Sequence, residues 1–262
     1  MFEFLHAINW LYVASGFGVG FLVGLTGVGG GSLMTPILVL LFHIHPATAV
    51  GTDLLYASVT KTGGSFIHSF NKTLDWKVVL RLACGSVPAA IVTLLVLNYL
   101  DIKSASTGSL ITKVLAIALL FTSVALIIRP LLRGYAEHAS NLPPNITRNL
   151  TIATGAMLGV LVTISSVGAG AIGMTALILL YPRLPIVRLV GSDIAHAVPL
   201  TLVAGAGHWL LGSPDFAMLG SLLIGSLPGI VISSSVAPRT SESLIRYLLA
   251  AVLLLVAWKL LG

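Results

Sequence analysis

Apolar residues run through this chain in long blocks, separated by short polar connections, and the blocks come in two sets of five. The first set covers roughly 8–27, 31–43, 46–70, 76–98 and 109–129; the second covers 149–166, 169–181, 186–211, 215–236 and 243–261. Eight are long enough, at 1.5 Å per helical residue, to approach or cross a hydrocarbon core about 30 Å thick. The second block of each set has only about a dozen residues and reaches about 18–20 Å. It predicts a half-helix, either re-entrant or part of a broken span. The pattern reads as an all-α polytopic membrane protein.

The two sets repeat one another. "AVGTDLLY" at 49–56 returns as "LVGSDIAH" at 189–196, and "GSVP" at 85–88 as "GSLP" at 225–228. His68 and His208, like Asp75 and Asp215, are 140 positions apart. One residue of slippage aligns "VGGGS" at 28–32 with "VGAGA" at 167–171. The chain therefore divides into a first repeat, 1–133, a connection, 134–148, and a second repeat, 149–262. Cytoplasmic loops carry an excess of Lys and Arg, and this orients the repeats. If the first two blocks of each half return to the side they left, ten basic residues share one side: Lys72, Lys77, Arg81, Arg129, Arg133, Arg148, Arg183, Arg188, Arg239 and Arg246. The other side then holds three, Lys103, Lys113 and Lys259; counting the two blocks as one crossing gives seven against six. The biased count predicts inverted repeats with both termini periplasmic, in the cell inner membrane.

Composition narrows the function. The chain is 56% hydrophobic and 8% charged, against about 25% charged in soluble domains. A net charge of +6 comes from singly scattered basic residues, which fits topology signals and excludes a nucleic-acid patch. The start, "MFEFLHAINW", has no basic stretch ahead of its apolar run, so the first block reads as a retained segment. Cys84 is the single cysteine, which rules out an internal disulfide and a cysteine metal cluster. "HIHP" at 43–46 is too small a set for a metal site. No Lys-Ser or Lys-Thr follows the glycines, so they are not a nucleotide loop. Nothing spaces a nucleophile beside a base. Neither an enzyme nor a cofactor is expected, and no oligomeric state is read from the sequence.

The candidate chemistry lies where the blocks are interrupted. "GLTGVGGGSLMTP" at 24–36 gives up helix inside an apolar run, and each interior glycine costs roughly 1 kcal/mol relative to alanine. Gly29, Gly30, Gly31 and Ser32, with Gly168 and Gly170 in the second half, would aim backbone N–H groups and a helix N-terminus at an anion. Gly16, Gly20 and Gly24, echoed by Gly155 and Gly159, form a small-residue ridge for close helix packing. Lys61 is the one basic residue deep inside a block, where a charge defaults to a functional role with a partner. That partner is an anionic substrate, or Asp53 or Asp193 in a structural pair. Thr52 and Ser192 add hydroxyls. Asp53, Asp193 and His196 are candidate proton carriers, although both carboxylates read first as caps on the neighbouring broken helices. His68 and His208 read first as helix-end groups.

"GVGGGSLMTPILVLL", "HPATAVGTDLL" and "VGSDIAHAVPLTLVAGAGHWLLG" resemble the TauE/SafE sulfite exporter family over nearly the whole chain. In the second half "SSVGAGAIG" replaces a second glycine-rich turn. The resemblance implies a membrane transporter for sulfite or an organosulfonate, working by alternating access and exporting across the bacterial inner membrane. Its partners are a small anionic substrate and the lipid bilayer. The alternatives are a proton-coupled uptake permease for another anion, and an anion channel.

Overall fold

The structure, a computed structural model, describes residues 9–26, 31–138, 142–236 and 242–262. These form ten helices: α1 Trp10–Thr26, α2 Gly31–Leu40, α3 Pro46–Phe70, α4 Trp76–Tyr99, α5 Ala105–His138, α6 Pro144–Ser165, α7 Ala171–Leu180, α8 Ile186–Leu210, α9 Phe216–Val236 and α10 Glu242–Leu261. There is no strand among the described residues. Six of the helices are long and apolar enough to cross a membrane. The protein is an all-helical multi-pass membrane protein.

Helix ends follow local chemistry. Pro46 opens α3 and Pro144 opens α6, where a missing N–H costs nothing. Asp75 caps α4, its Oδ1 accepting from the N–H groups of Lys77 and Val78. One boundary differs from the hydropathy reading: α5 runs for 34 residues rather than over 109–129. Ser104 Oγ accepts from Thr107 N–H and starts it early. At its far end the helix passes Pro130 into 134–138, so the connection between repeats begins inside α5. Polar residues outside the bilayer remain helical there, and hydropathy cannot register them.

The short helices close hairpins. Tyr12, near the start of α1, packs on Phe42, just past the end of α2, with ring centroids 4.7 Å apart. Thr151, near the start of α6, meets the Tyr181 hydroxyl just past the end of α7 at 2.9 Å. In each half the second element thus returns toward the end where the first began, the geometry on which the ten-to-three charge count rests. The short helices span ten residues each, 140 positions apart. Thr175 is therefore the counterpart of Thr35, and the one-residue slippage belongs upstream of the short helix.

The halves are interlocked. α1 packs along α9 of the other half, and α6 along α4. A Cβ on Gly16 or Gly20 would fall 2.2 or 2.5 Å from the carbonyl oxygens of Leu222 and Ser226. Its counterparts on Gly155 and Gly159 would fall 2.2 and 2.4 Å from those of Leu82 and Ser86. The small-residue ridge is thus a seam between repeats, with Gly24 outside the residues described at side-chain level.

The central pair, α3 and α8, are repeat counterparts that run antiparallel. Gly51 faces His208, Leu55 faces Gly205, Gly64 faces Ile194 and His68 faces Gly191, so facing positions sum to about 260. With counterparts 140 apart, the pseudo-two-fold axis passes beside residues 60 and 200. Isologous pairing of this kind, with i on j and j′ on i′, is the mark of a two-fold relation.

One end of the molecule gathers arginine. Arg81 donates to the Tyr181 hydroxyl at 3.1 Å, and Arg133 and Arg183 line one cleft there. The opposite end holds Lys103 beside Gly212 and Lys113 beside Leu260 and Leu261. Asn9, whose N–H donates to Ser221 near the start of α9, lies at this lysine end with Leu261.

Candidate functional site

Lys61 is one residue from the pseudo-two-fold axis. Its counterpart on α8 is Thr201, a buried residue whose hydroxyl donates to its own helix at Ala197. A two-fold site therefore carries a single ammonium. Lys61 is half-buried and within electrostatic reach of both Asp193 and Asp53. Among the described residues no hydrogen bond or close ion pair holds it. A cation this deep without a fixed partner is costly, and an anion arriving beside it relieves that cost.

The two carboxylates stand against the short helices, but they are treated differently. Asp53 Oδ2 accepts from the Thr35 hydroxyl of α2 at 2.5 Å, and Ser166, at the end of α6, adds its hydroxyl beside the group. In the second half Thr175 turns back to the Ala171 carbonyl at 2.7 Å and leaves its aspartate alone. Asp193 instead sits over Gly173, where a Cβ would fall 2.7 Å from Oδ1. That oxygen has no hydrogen-bond partner among the described residues, and neither has Asp53 Oδ1. Asp53 is thus tied to α2 through the Thr35 hydroxyl, while Asp193 keeps a buried Oδ1 without a hydrogen-bond partner among the described residues, within electrostatic reach of Lys61 and Arg129.

His196 completes the centre. Its Nε2 is hydrogen-bonded with Ser86 at 2.8 Å, and its Nδ1 has no partner among the described residues. The counterpart of His196 is Tyr56, which faces Ser226, the counterpart of Ser86. Sequence reading passed over Thr35, Tyr56, Ser86 and Ser226. The 140-residue repeat carried the signal, since Ser86 and Ser226 sit in the matched "GSVP" and "GSLP".

Thr52 and Ser192 hold the halves together. Asp75 N–H donates to Ser192 Oγ at 2.9 Å, and Asp215 N–H donates to Thr52 Oγ1 at 3.0 Å. Beside each link a histidine braces the same loop, His68 with Thr73 at 2.8 Å and His208 with Ser213 at 3.1 Å. Both histidines are therefore helix-end groups. Ser192→Ala strands a loop N–H and is expected to cost about 1–3 kcal/mol, read as a fall in unfolding temperature.

The glycine turns are described in part. Gly31 opens α2 and Ser32 is buried behind it, whereas Gly29 and Gly30 lie outside the described residues. Gly168 and Gly170 have φ of +120° and +123°, a region that excludes other residues. No side chain caps α7, and Gly173 N–H is taken by the Gly168 carbonyl at 3.2 Å, which leaves the N–H groups of Ala171 and Ile172 without a partner among the described residues.

The comparisons with known proteins agree with this architecture. The family described as "Sulfite exporter TauE/SafE" matches residues 12–260. A probable membrane transporter protein of Bacillus subtilis, YjnA, is 37% identical over 95% of this chain and 98% of its own length. A second, MJ0441 of Methanocaldococcus jannaschii, is 24% identical over 91% of each chain. No solved structure matches. With the family's pattern running from α1 into α10, the chain belongs to the TauE/SafE sulfite exporter family.

Proposed function

We propose that the protein is a secondary transporter that exports a small sulfur oxyanion, sulfite or an organosulfonate, across the cell inner membrane by alternating access. The observation that carries this reading is the single ammonium of Lys61 beside the pseudo-two-fold axis, between the carboxylates of both halves. An oxyanion presents several strong acceptors, which suit an ammonium, hydroxyls and the N–H groups at a helix N-terminus. Gly29 and Gly30 before α2, Gly31 and Ser32 at its start, and Gly168 and Gly170 before α7 supply the N–H contacts. Thr52 and Ser192 add hydroxyls to the substrate's surroundings, and each also accepts from a loop N–H of the other half.

Inverted repeats with interrupted helices allow one half to rock against the other about a central site. The arginine end faces the cytoplasm under the positive-inside rule, which places both termini in the periplasm. An inside-negative potential then drives a monovalent anion outward with about 2.3 kcal/mol per 100 mV, and export needs no coupling ion. Proton-coupled uptake is the second reading. It is favoured by the buried Asp193 Oδ1 and His196 Nδ1, neither with a hydrogen-bond partner among the described residues, with Asp53 as a third carrier.

Counterflow tests the transport mode. Vesicles preloaded with unlabelled sulfite are expected to accumulate labelled sulfite transiently against its gradient, and excess sulfoacetate outside to suppress the uptake. Flux without counterflow would identify a channel.

A further inference from the structure

We propose that the arginine end holds an anionic phospholipid, its phosphate among Arg81, Arg133 and Arg183 and its acyl chains in a groove beside α7. Two clefts, of about 230 and 580 Å³, open on either side of the Tyr181–Leu184 loop and share Tyr181, Arg183 and Leu184. Arg133 lines the first and Arg81 the second, and no carboxylate lines either among the described residues. Arg81 is held in place by its bond to the Tyr181 hydroxyl, itself bonded with Thr151. A guanidinium fixed this way is set for a phosphate oxygen.

A second observation is independent of charge. An apolar groove of about 510 Å³ runs between α5 and the α6–α7 hairpin, lined by Ile117, Phe121, Ile128, Met157, Ala176 and Leu179 among others. Leu179 lies two residues before Tyr181. Ile128 lies five before Arg133, about 7.5 Å along the helix. The groove therefore leads to the arginines, and the two together match a headgroup phosphate with its hydrocarbon. The other half offers no equivalent, since Arg81, Tyr181 and Arg183 correspond to Ser221, Leu41 and His43. Basic pockets between helices at the cytoplasmic face bind anionic lipid headgroups, and this pocket lies at the arginine end.

The test uses the full chain in mild detergent, titrated with phosphatidylglycerol, phosphatidylcholine or glycerol phosphate. Bound lipid is counted by native mass spectrometry and the unfolding temperature is followed. Phosphatidylglycerol is expected to bind and to raise the unfolding temperature, with phosphatidylcholine at least tenfold weaker and glycerol phosphate without effect. Arg133→Gln with Arg183→Gln, both at exposed positions, is expected to remove the preference at least tenfold, whereas Lys103→Gln at the other end keeps it. Ala176→Phe fills the groove and is expected to weaken binding with all three arginines intact. Unchanged selectivity in the arginine variant would overturn the proposal. Glycerol phosphate stabilising as well as the lipid would overturn the lipid assignment and leave a phosphate site.

Discussion

Lys61→Ala is expected to weaken sulfite binding ten- to a hundredfold and to leave the protein folded. The direction follows from burial: the ammonium sits half-buried near the centre of α3, with no close partner among the described residues. A hydrogen bond to a charged group contributes about 1.5–3 kcal/mol, and each 1.4 kcal/mol is tenfold in affinity. Folding is spared because the variant removes a cation that no described residue pairs closely. Lys61→Arg is expected to fall between, retaining charge but not shape. Equilibrium binding on detergent-purified protein, with gel filtration to establish folding, checks this. Unchanged affinity would remove Lys61 from the site.

The second large effect is structural. Gly225→Ala and Gly85→Ala are expected to destabilise the protein severely and to similar extents. A Cβ on Gly225 would fall 1.9 Å from the carbonyl oxygen of Val13, and one on Gly85 would fall 2.0 Å from that of Ile152. Backbone cannot yield as a side-chain tip can, so a helix must move. Overpacking costs about 1–3 kcal/mol in ordinary cores, and a clash against a carbonyl lies at or above the top of that range. At Gly18 and Gly63, by contrast, a Cβ would meet nothing within 4 Å. Alanine there is expected to be neutral, or stabilising by about 0.5–1 kcal/mol. Unfolding temperatures of the four variants decide it, and equal stability throughout would contradict the seam between α1 and α9 and its counterpart between α4 and α6.

Much of this fold is legible in the chain because a bilayer demands it. Spans announce themselves as apolar runs, and the half-helices as runs too short to cross, so α2 and α7 fall where the blocks of 31–43 and 169–181 place them. Lys61 is legible for the same reason, since a charge inside such a run is rare. Partner choice is not. Nothing in the apolar pattern says that α1 packs on α9 rather than within its own half, because every lipid-facing surface looks alike. The loop contacts of Thr52 and Ser192 are hidden similarly: a hydroxyl beside an aspartate does not announce the N–H of the other half from which it accepts. Thr35 and Thr175 are identical by sequence and repeat position. Only the structure shows one bonded to Asp53 and the other to its own helix, and that difference makes the two halves of the site unequal.

The most direct test of the account is labelled sulfite flux in proteoliposomes, wild type beside Lys61→Ala, with membrane potential and pH gradient set independently. Saturable flux driven by potential alone, and lost in the variant, is the predicted result. Flux that ignores the potential, or persists undiminished without Lys61, would contradict it.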